Sequence, residues 1–328
     1  MIISRTPFRI SFFGGGTDYP VWYKEHGGAV LSTTIDKYCY ITASYYPPFS
    51  PEKHRIVWSK IEMVNDNEEI EHPSVRETIK YLKLKEGVEV HVTTDLPARS
   101  GVGSSSAFTV GLLNALYTLK GHLPSKRQLA VDAIHIERDL LREGGGLQDQ
   151  VAVAFGGFNK IVFGGKDEFE VVPMPLQKQR IDNLQNYLIL FFTGITRLGT
   201  KIAAEQIKNT PNKSTELQKM ADLVKDAEKI LYGQNGIEDF GHLLHETWQL
   251  KRSLTTSISS EGIDEIYETA RGAGALGGKL LGAGGGGFML FFVKPEHQEA
   301  VKSALSNLVH VPFKFEYSGS QIIHYQPK

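Results

Sequence analysis

An α+β fold is predicted by three features of the 328-residue sequence. Strand-like and helix-like segments mix in both halves. No repeat with a period of roughly 20–50 residues runs through the chain. The length exceeds what one hydrophobic core usually organises, so two domains are expected.

Taken in order, residues 5–13 alternate and end in Ile10-Ser11-Phe12-Phe13, a strand that stops at Gly14-Gly15-Gly16. Ala29–Thr34 and Tyr38–Tyr45 read as two further strands, rich in β-branched and aromatic residues, and Arg55–Ser59 as another. Asn65–Glu71 is a polar, acidic loop, and Ser74 is expected to cap a helix reaching Lys83. Val88–Thr93 alternates strictly and should be a half-buried strand. An apolar helix follows from Ala107, and a second runs from Ser125 to about Glu143, where Gly144-Gly145-Gly146 stops it. Residues 156–165 form a strand between glycine turns.

The polar stretch Gln177–Asn183 marks the expected domain boundary, giving domains 1–178 and 179–328. The second half opens on the strand Tyr187–Phe192. Helices at about 199–209, 214–232, 238–252 and 262–272 come next, then the strand Phe288–Val293, a helix Glu296–Asn307 and a last strand Ile322–Tyr325.

Composition narrows the function class. Hydrophobic content of 41%, charged content of 22% and a net charge of −1 describe an ordinary globular chain. That balance offers no general attraction to nucleic acid or to an anionic membrane, so neither is an expected partner. Cys39 is the only cysteine, which excludes disulfides and cysteine zinc sites within one chain. Together with an N-terminus lacking a signal-peptide pattern, this leads to an expected cytoplasmic location.

Glycine is clustered, and the clusters carry the chemistry. Pro97-Ala98-Arg99-Ser100-Gly101-Val102-Gly103-Ser104-Ser105-Ser106-Ala107 lies between a strand and a helix. Such a loop turns tightly at its glycines and directs unpaired N–H groups of the helix start at one spot, which suits an anion. Gly282, Gly284 and Gly287 match G-x-G-x-x-G, but they lead into a strand, whereas a dinucleotide fingerprint leads into a helix. No Gly-Lys-Ser/Thr follows either cluster, so the Walker pattern also fails. Glu137 and, in Gly146-Leu147-Gln148-Asp149-Gln150, Asp149 form a third group. Phosphoryl transfer needs a cation on the phosphates and a group acting on the attacking hydroxyl, and Mg²⁺ prefers oxygen ligands. Glu137 with a loop serine, and Asp149, could fill those needs.

Three blocks together resemble the GHMP small-molecule kinases. They are Thr6-Pro7-Phe8-Arg9-Ile10-Ser11-Phe12-Phe13-Gly14-Gly15-Gly16-Thr17-Asp18, the 97–107 loop, and Lys279-Leu280-Leu281-Gly282-Ala283-Gly284-Gly285-Gly286-Gly287-Phe288. The loop departs from the family's P-x-x-x-G-L-G-S-S-A-A at Val102 and Ser106. The resemblance implies an N-terminal domain like ribosomal protein S5 domain 2 and a ferredoxin-like C-terminal domain, with ATP and a small-molecule acceptor meeting between them. It implies ATP and Mg²⁺ as cofactors. Pro97, Ser100, Gly101, Val102, Gly103, Ser104, Ser105 and Ser106 would cradle the ATP phosphates. Ser105 and Glu137 would hold Mg²⁺, with Ser104 and Ser106 as neighbours that remain open. Asp149 would be the catalytic carboxylate and Arg9 the cation beside the transferred phosphoryl group.

The acceptor follows from a departure. Galactokinase-type members carry Gly-Glu-His where this chain has Gly14-Gly15-Gly16, so galactose is not expected. The glycine version with Thr17-Asp18 resembles the sugar 1-kinase branch that includes fucose and heptose kinases, and 193–198 and 248–254 most resemble the heptose kinases. The resemblance implies phosphorylation of an anomeric hydroxyl, with D-glycero-D-manno-heptose 7-phosphate the first expectation. Mannose, fucose or an unphosphorylated heptose, and a sugar sensor without catalysis, are the alternatives. Gly15, Gly16, Thr17, Asp18, Arg197, Gly284 and Gly285 would line the sugar site. A second phosphate on the substrate would need basic residues, for which Arg99, Arg197, Lys201, Lys251 and Arg252 are candidates.

Overall fold

The computed structural model describes residues 1–165, 168–195, 199–234 and 236–326. Among these residues the strands form two sheets. The first is built on Gly28–Tyr45, an 18-residue strand paired along one edge with Ile2–Phe13. Its other edge is covered in succession by Phe158–Phe163, Phe315–Glu316 and Val88–Thr94. His54–Val57 then joins Val88–Thr94 in parallel, and Ile61–Val64 lies outermost on that side. Gln321–Tyr325 closes the opposite side against Ile2–Phe13.

Burial along Gly28–Tyr45 explains its length. Val30 to Ile35 are buried without alternation, so both faces of the sheet are covered there. From Cys39 onward only every second residue is buried, and one face is more open. Sequence reading splits this strand at the polar Asp36-Lys37. The backbone continues because Asp36 N–H donates to the Lys314 carbonyl at 2.9 Å.

Helix Ser104–Leu119 packs on Ile2–Phe13 and Gly28–Tyr45 and is buried nearly all round, as its largely apolar composition requires. Gly111 is the point of closest approach. Its carbonyl accepts from Ser4 Oγ at 2.7 Å, and a Cβ there would stand 2.9 Å from Thr6 Oγ1.

The second sheet runs Val309–His310, Leu188–Phe192, Phe288–Val293, Ala275–Leu280, all antiparallel. Every residue of Phe288–Val293 is buried. Helices Ser214–Tyr232, Glu238–Leu254 and Glu261–Gly272 match the expected segments closely. Phe240 connects the halves, meeting Phe12 and Phe13 edge-on at centroid distances of 5.5 and 5.0 Å. No helix of the described residues is long and apolar enough to cross a membrane.

Several local expectations are corrected. The polar stretch at 177–183 is not a linker but lies in helix Lys178–Asn186, which buries Leu184. We keep 178/179 as a proposed division between the halves, although Phe315–Glu316 and Gln321–Tyr325 return to the first sheet. Ser74 is not a cap: helix Pro73–Tyr81 starts one residue earlier, behind His72. The helix after Ser125 does not stay α-helical to Glu143. It runs as Lys126–Ile134, capped by Ser125 Oγ, and widens into a π turn over His135–Leu140. Such widenings re-aim side chains and concentrate at functional sites.

Gly111 provides a test of the helix–sheet contact. Gly111→Leu should cost about 2–3 kcal/mol by overpacking, despite the better helix propensity of leucine. Urea unfolding would register this as a lower midpoint with an unchanged slope.

Candidate active site

Arg9 points from the strand Ile2–Phe13 into a cleft of about 370 Å³ between the two halves. It is 2% exposed, yet all three of its nitrogens are engaged. Nε and Nη2 donate to Asp149 Oδ1 and Oδ2, each at 2.8 Å, and Nη1 donates to the Gly101 carbonyl at 2.6 Å. This bidentate fork fixes carboxylate and guanidinium in one plane. Asp149 occupies the first turn of helix Gln148–Phe155, where a negative charge is favoured by the helix dipole.

The 97–107 loop has the backbone that its glycines suggest. Gly101 and Gly103 sit at φ +83° and +74°, in the left-handed region, and helix Ser104–Leu119 starts directly after them. The 282–287 loop packs onto it so tightly that a Cβ on Gly282 would lie 2.5 Å from Gly101 Cα. Phe288 N–H donates to the Ser100 carbonyl at 3.1 Å and joins the loops.

Glu137 reaches the cleft from the π turn and is nearly fully buried. Its Oε2 accepts from Ser106 Oγ at 2.9 Å and from Gln150 Nε2. Its Oε1 has no partner among the described residues. Burial, with Glu143 nearby, pushes its pKa up to about 7. Gln148 Oε1 and Gln150 Oε1 are also buried acceptors without a partner. A cleft wall rich in unpaired acceptors fits a cation or hydroxyl donors. Among the described residues no group of three or more His, Cys, Asp or Glu is arranged to hold a metal. One carboxylate beside serine hydroxyls fits Mg²⁺, which takes its remaining ligands from phosphate and water.

Asp18 is fully buried. It accepts from Gly16 N–H at 2.9 Å and Gln148 N–H at 3.3 Å, and so ties the first glycine run to the Asp149 helix. Burial raises its pKa. Gly146 has to be glycine here, because a Cβ would fall 1.6 Å from Asp18 Oδ2.

Most of the expected residues meet in this cleft: Arg9, Gly15, Gly16, Asp18, Gly101, Gly103, Ser104, Ser105, Ser106, Glu137, Asp149 and Gly284 all line it. Five do not. Ser100 is buried, with its hydroxyl on the Pro97 carbonyl at 2.6 Å, and Val102 is core. Pro97 is exposed outside the cleft. Thr17 is buried and donates to the Gly14 and Ala29 carbonyls, while Gly285 N–H donates to the Ile258 carbonyl. Arg197 lies outside the described residues.

Ser105 is exposed at the helix start, and it is Ser106 rather than Ser105 that bonds Glu137. Of the basic candidates, Arg99 and Lys251 face the cleft, Lys201 is exposed away from it, and Arg252 pairs with Asp264 at 3.3 Å. Sequence reasoning assigned no role to Lys279, Gln148, Gln150 or Gln206, all of which line the cleft. Only the Gln148-Asp149-Gln150 spacing hinted at two of them.

Known proteins fit this geometry. The N-terminal domain model of the GHMP kinases matches residues 73–157, and the C-terminal domain model matches 223–310. A D-glycero-alpha-D-manno-heptose 7-phosphate kinase from Campylobacter jejuni subsp. jejuni is 31% identical over 321 residues, covering 93% of each chain. The crystal structure of a D-glycero-D-manno-heptose 1-phosphate kinase from Bacteroides thetaiotaomicron superposes with a TM-score of 0.78 at 26% identity, over 99% of this chain and 100% of that one. A galactokinase from Lactococcus lactis, complexed with galactose, shares the fold at 19% identity and a TM-score of 0.76, covering 98% and 94%. This chain belongs to the GHMP kinase family and is a phosphotransferase with that family's two-domain fold.

Proposed function

We propose that the protein transfers the γ-phosphoryl group of ATP to the anomeric hydroxyl of a sugar, first of all D-glycero-D-manno-heptose 7-phosphate. The observation that carries this reading is the Arg9–Asp149 fork, set between the Gly101–Ser106 loop and the partnerless oxygen of Glu137. The acceptor assignment is supported by the heptose kinases to which the chain is similar and by the absence of side chains at Gly14-Gly15-Gly16.

The N–H groups at the start of helix Ser104–Leu119 would bind the ATP phosphates, with help from the helix dipole. Glu137 and Ser105 would hold Mg²⁺, which offsets phosphate charge when bound. Asp149 would orient the sugar hydroxyl and take its proton as the new O–P bond forms and the bond to ADP breaks. Arg9 keeps that carboxylate in place and adds positive charge where negative charge collects. Gln148 and Gln150 offer acceptors for other sugar hydroxyls. Asp18 supports the sugar pocket by fixing its loops.

ADP release measured across phosphorylated and free heptoses, mannose and fucose tests the acceptor, with NMR of the product locating the new phosphate. The heptose 7-phosphate should give the highest kcat/KM. A higher value for an unphosphorylated sugar would refute this choice. Asp149→Asn should lower kcat by about 10²–10⁴-fold, the range for a lost general base, while ATP binding measured by calorimetry stays intact. Near-normal turnover in that variant would remove Asp149 from the mechanism.

Glu137 adds a pH signature. Its folded pKa of about 7 lies above the ordinary 4.5, so the native state holds the proton more tightly. The stability it contributes is complete below the unfolded value and is lost as pH rises through 7. At pH 8 the ionised carboxylate costs on the order of 3 kcal/mol, taking 1.36 kcal/mol per pKa unit. Glu137→Gln should therefore melt higher than wild type at pH 8, with the gap closing towards pH 5. The same variant should lose most Mg²⁺-dependent stabilisation by ADP.

A further inference from the structure

The cleft holds more buried basic side chains than its mapped chemistry uses. Arg9, Lys251 and Lys279 are 2%, 7% and 3% exposed, and all three line it. Among the described residues of the cleft, the only ion pair joins Arg9 to Asp149. Lys279 Nζ donates to the Phe12 carbonyl at 2.7 Å. Lys251, in the last turn of helix Glu238–Leu254, donates to the Leu280 and Gly282 carbonyls at 2.9 and 2.5 Å. These carbonyls belong to the place where strand Ala275–Leu280 ends and the chain turns left-handed at Gly282, with φ +72°.

A neutral donor would satisfy two carbonyls at far lower cost than a desolvated ammonium without a carboxylate partner. The use of lysine here therefore points to its charge. Burial, reinforced by Arg9, lowers the pKa of Lys251 to about 7, and Asp149 and Asp18 only partly oppose this. Those same three residues surround the expected point of transfer, so Lys251 lies within electrostatic reach of it. An anion entering the cleft would supply the missing counter-charge.

We propose that Lys251 is a positioning residue for phosphoryl transfer: anchored at the root of the 282–287 loop, it favours the phosphoryl group in flight over the bound ground state. The inference rests on the phosphotransfer reading above and adds to it a residue from the C-terminal half. A group that acts selectively on the transition state changes kcat and the binding of transition-state mimics, while leaving ground-state binding alone.

The test uses the full chain with Mg·ADP, the accepted sugar and aluminium fluoride, a mimic of the transferring phosphoryl group. Lys251→Met keeps the side-chain length and removes the charge. Calorimetry should show affinity for the aluminium fluoride complex falling about tenfold or more, with Mg·ADP alone changed by less than about threefold. The kcat should fall in parallel, and the thermal midpoint should hold or rise, because a buried charge has gone. A smaller loss for the mimic, or an equal loss for Mg·ADP alone, overturns the proposal. Lys251→Gln, which retains a donor for Gly282, reads the same quantities if the methionine variant does not fold. Failure of both variants to fold makes Lys251 purely structural and also overturns it. Wild type that neither binds the mimic nor releases ADP with any sugar refutes the acceptor reading itself, and this inference with it. Normal wild-type behaviour with an unaffected variant refutes this inference alone.

Discussion

Arg9 joins three segments that are far apart in sequence. Its side chain leaves a central strand, clamps the carboxylate at the start of helix Gln148–Phe155 and holds the Gly101 carbonyl of the 97–107 loop. The main chain repeats the connection, since Arg9 N–H donates to the Val102 carbonyl at 3.0 Å. A charge-assisted fork buried to this degree is stiff, because breaking it would leave both a cation and a carboxylate unpaired. The spacing between the loop and Asp149 is thus set by one guanidinium, and phosphoryl transfer depends on such spacing.

The rest of the cleft is arranged around that fork by close backbone approach. Gly103 passes Arg9 with no room to spare: a Cβ there would sit 3.0 Å from Arg9 Cγ. Gly287 passes the Ser100 carbonyl, which a Cβ would meet at 2.2 Å. The two glycine clusters are therefore one interlocked surface. The first presents helix N–H groups, and the second forms the wall behind them and carries the Lys251 anchor. This explains how glycines that lead into a strand come to line the cleft without being a dinucleotide fingerprint.

Much of this was legible in the sequence, and the losses have physical causes. The helices Gly199–Asn209, Ser214–Tyr232, Glu238–Leu254 and Glu261–Gly272 follow an amphipathic period that survives in the fold. The π turn at His135–Leu140 leaves no readable mark in the pattern, because it changes backbone pairing over a segment of only 6 residues, too short to show its own period. Helix Gln148–Phe155 went unread because a short segment between glycine turns has too little length to show a period. Arg9 lies inside one of the three motif blocks, while Glu137 and Asp149 are marked by where they fall between them. Among the serines, spacing alone could not say which one bonds Glu137; the helix phase turns Ser106 onto it and leaves Ser105 exposed at the cleft. In sequence Lys251 is one of five basic candidates and Lys279 only part of a motif block, and only the fold shows that both are buried.

That burial has a consequence for how the cleft is balanced. Glu137 and Asp18 are pushed up, and Lys251 and Lys279 are pulled down, in each case chiefly by desolvation. Every one of these groups is displaced towards its neutral form by the protein alone. Phosphates and Mg²⁺ would reverse each displacement, since an anion favours charged lysines and a cation favours charged carboxylates. The side chains themselves are held in place before the ligands arrive, so becoming charged needs little reorganisation, which is the condition under which electrostatic stabilisation is strongest. The protein thus gives up stability at the cleft in exchange for a site whose electrostatics are completed by what it binds.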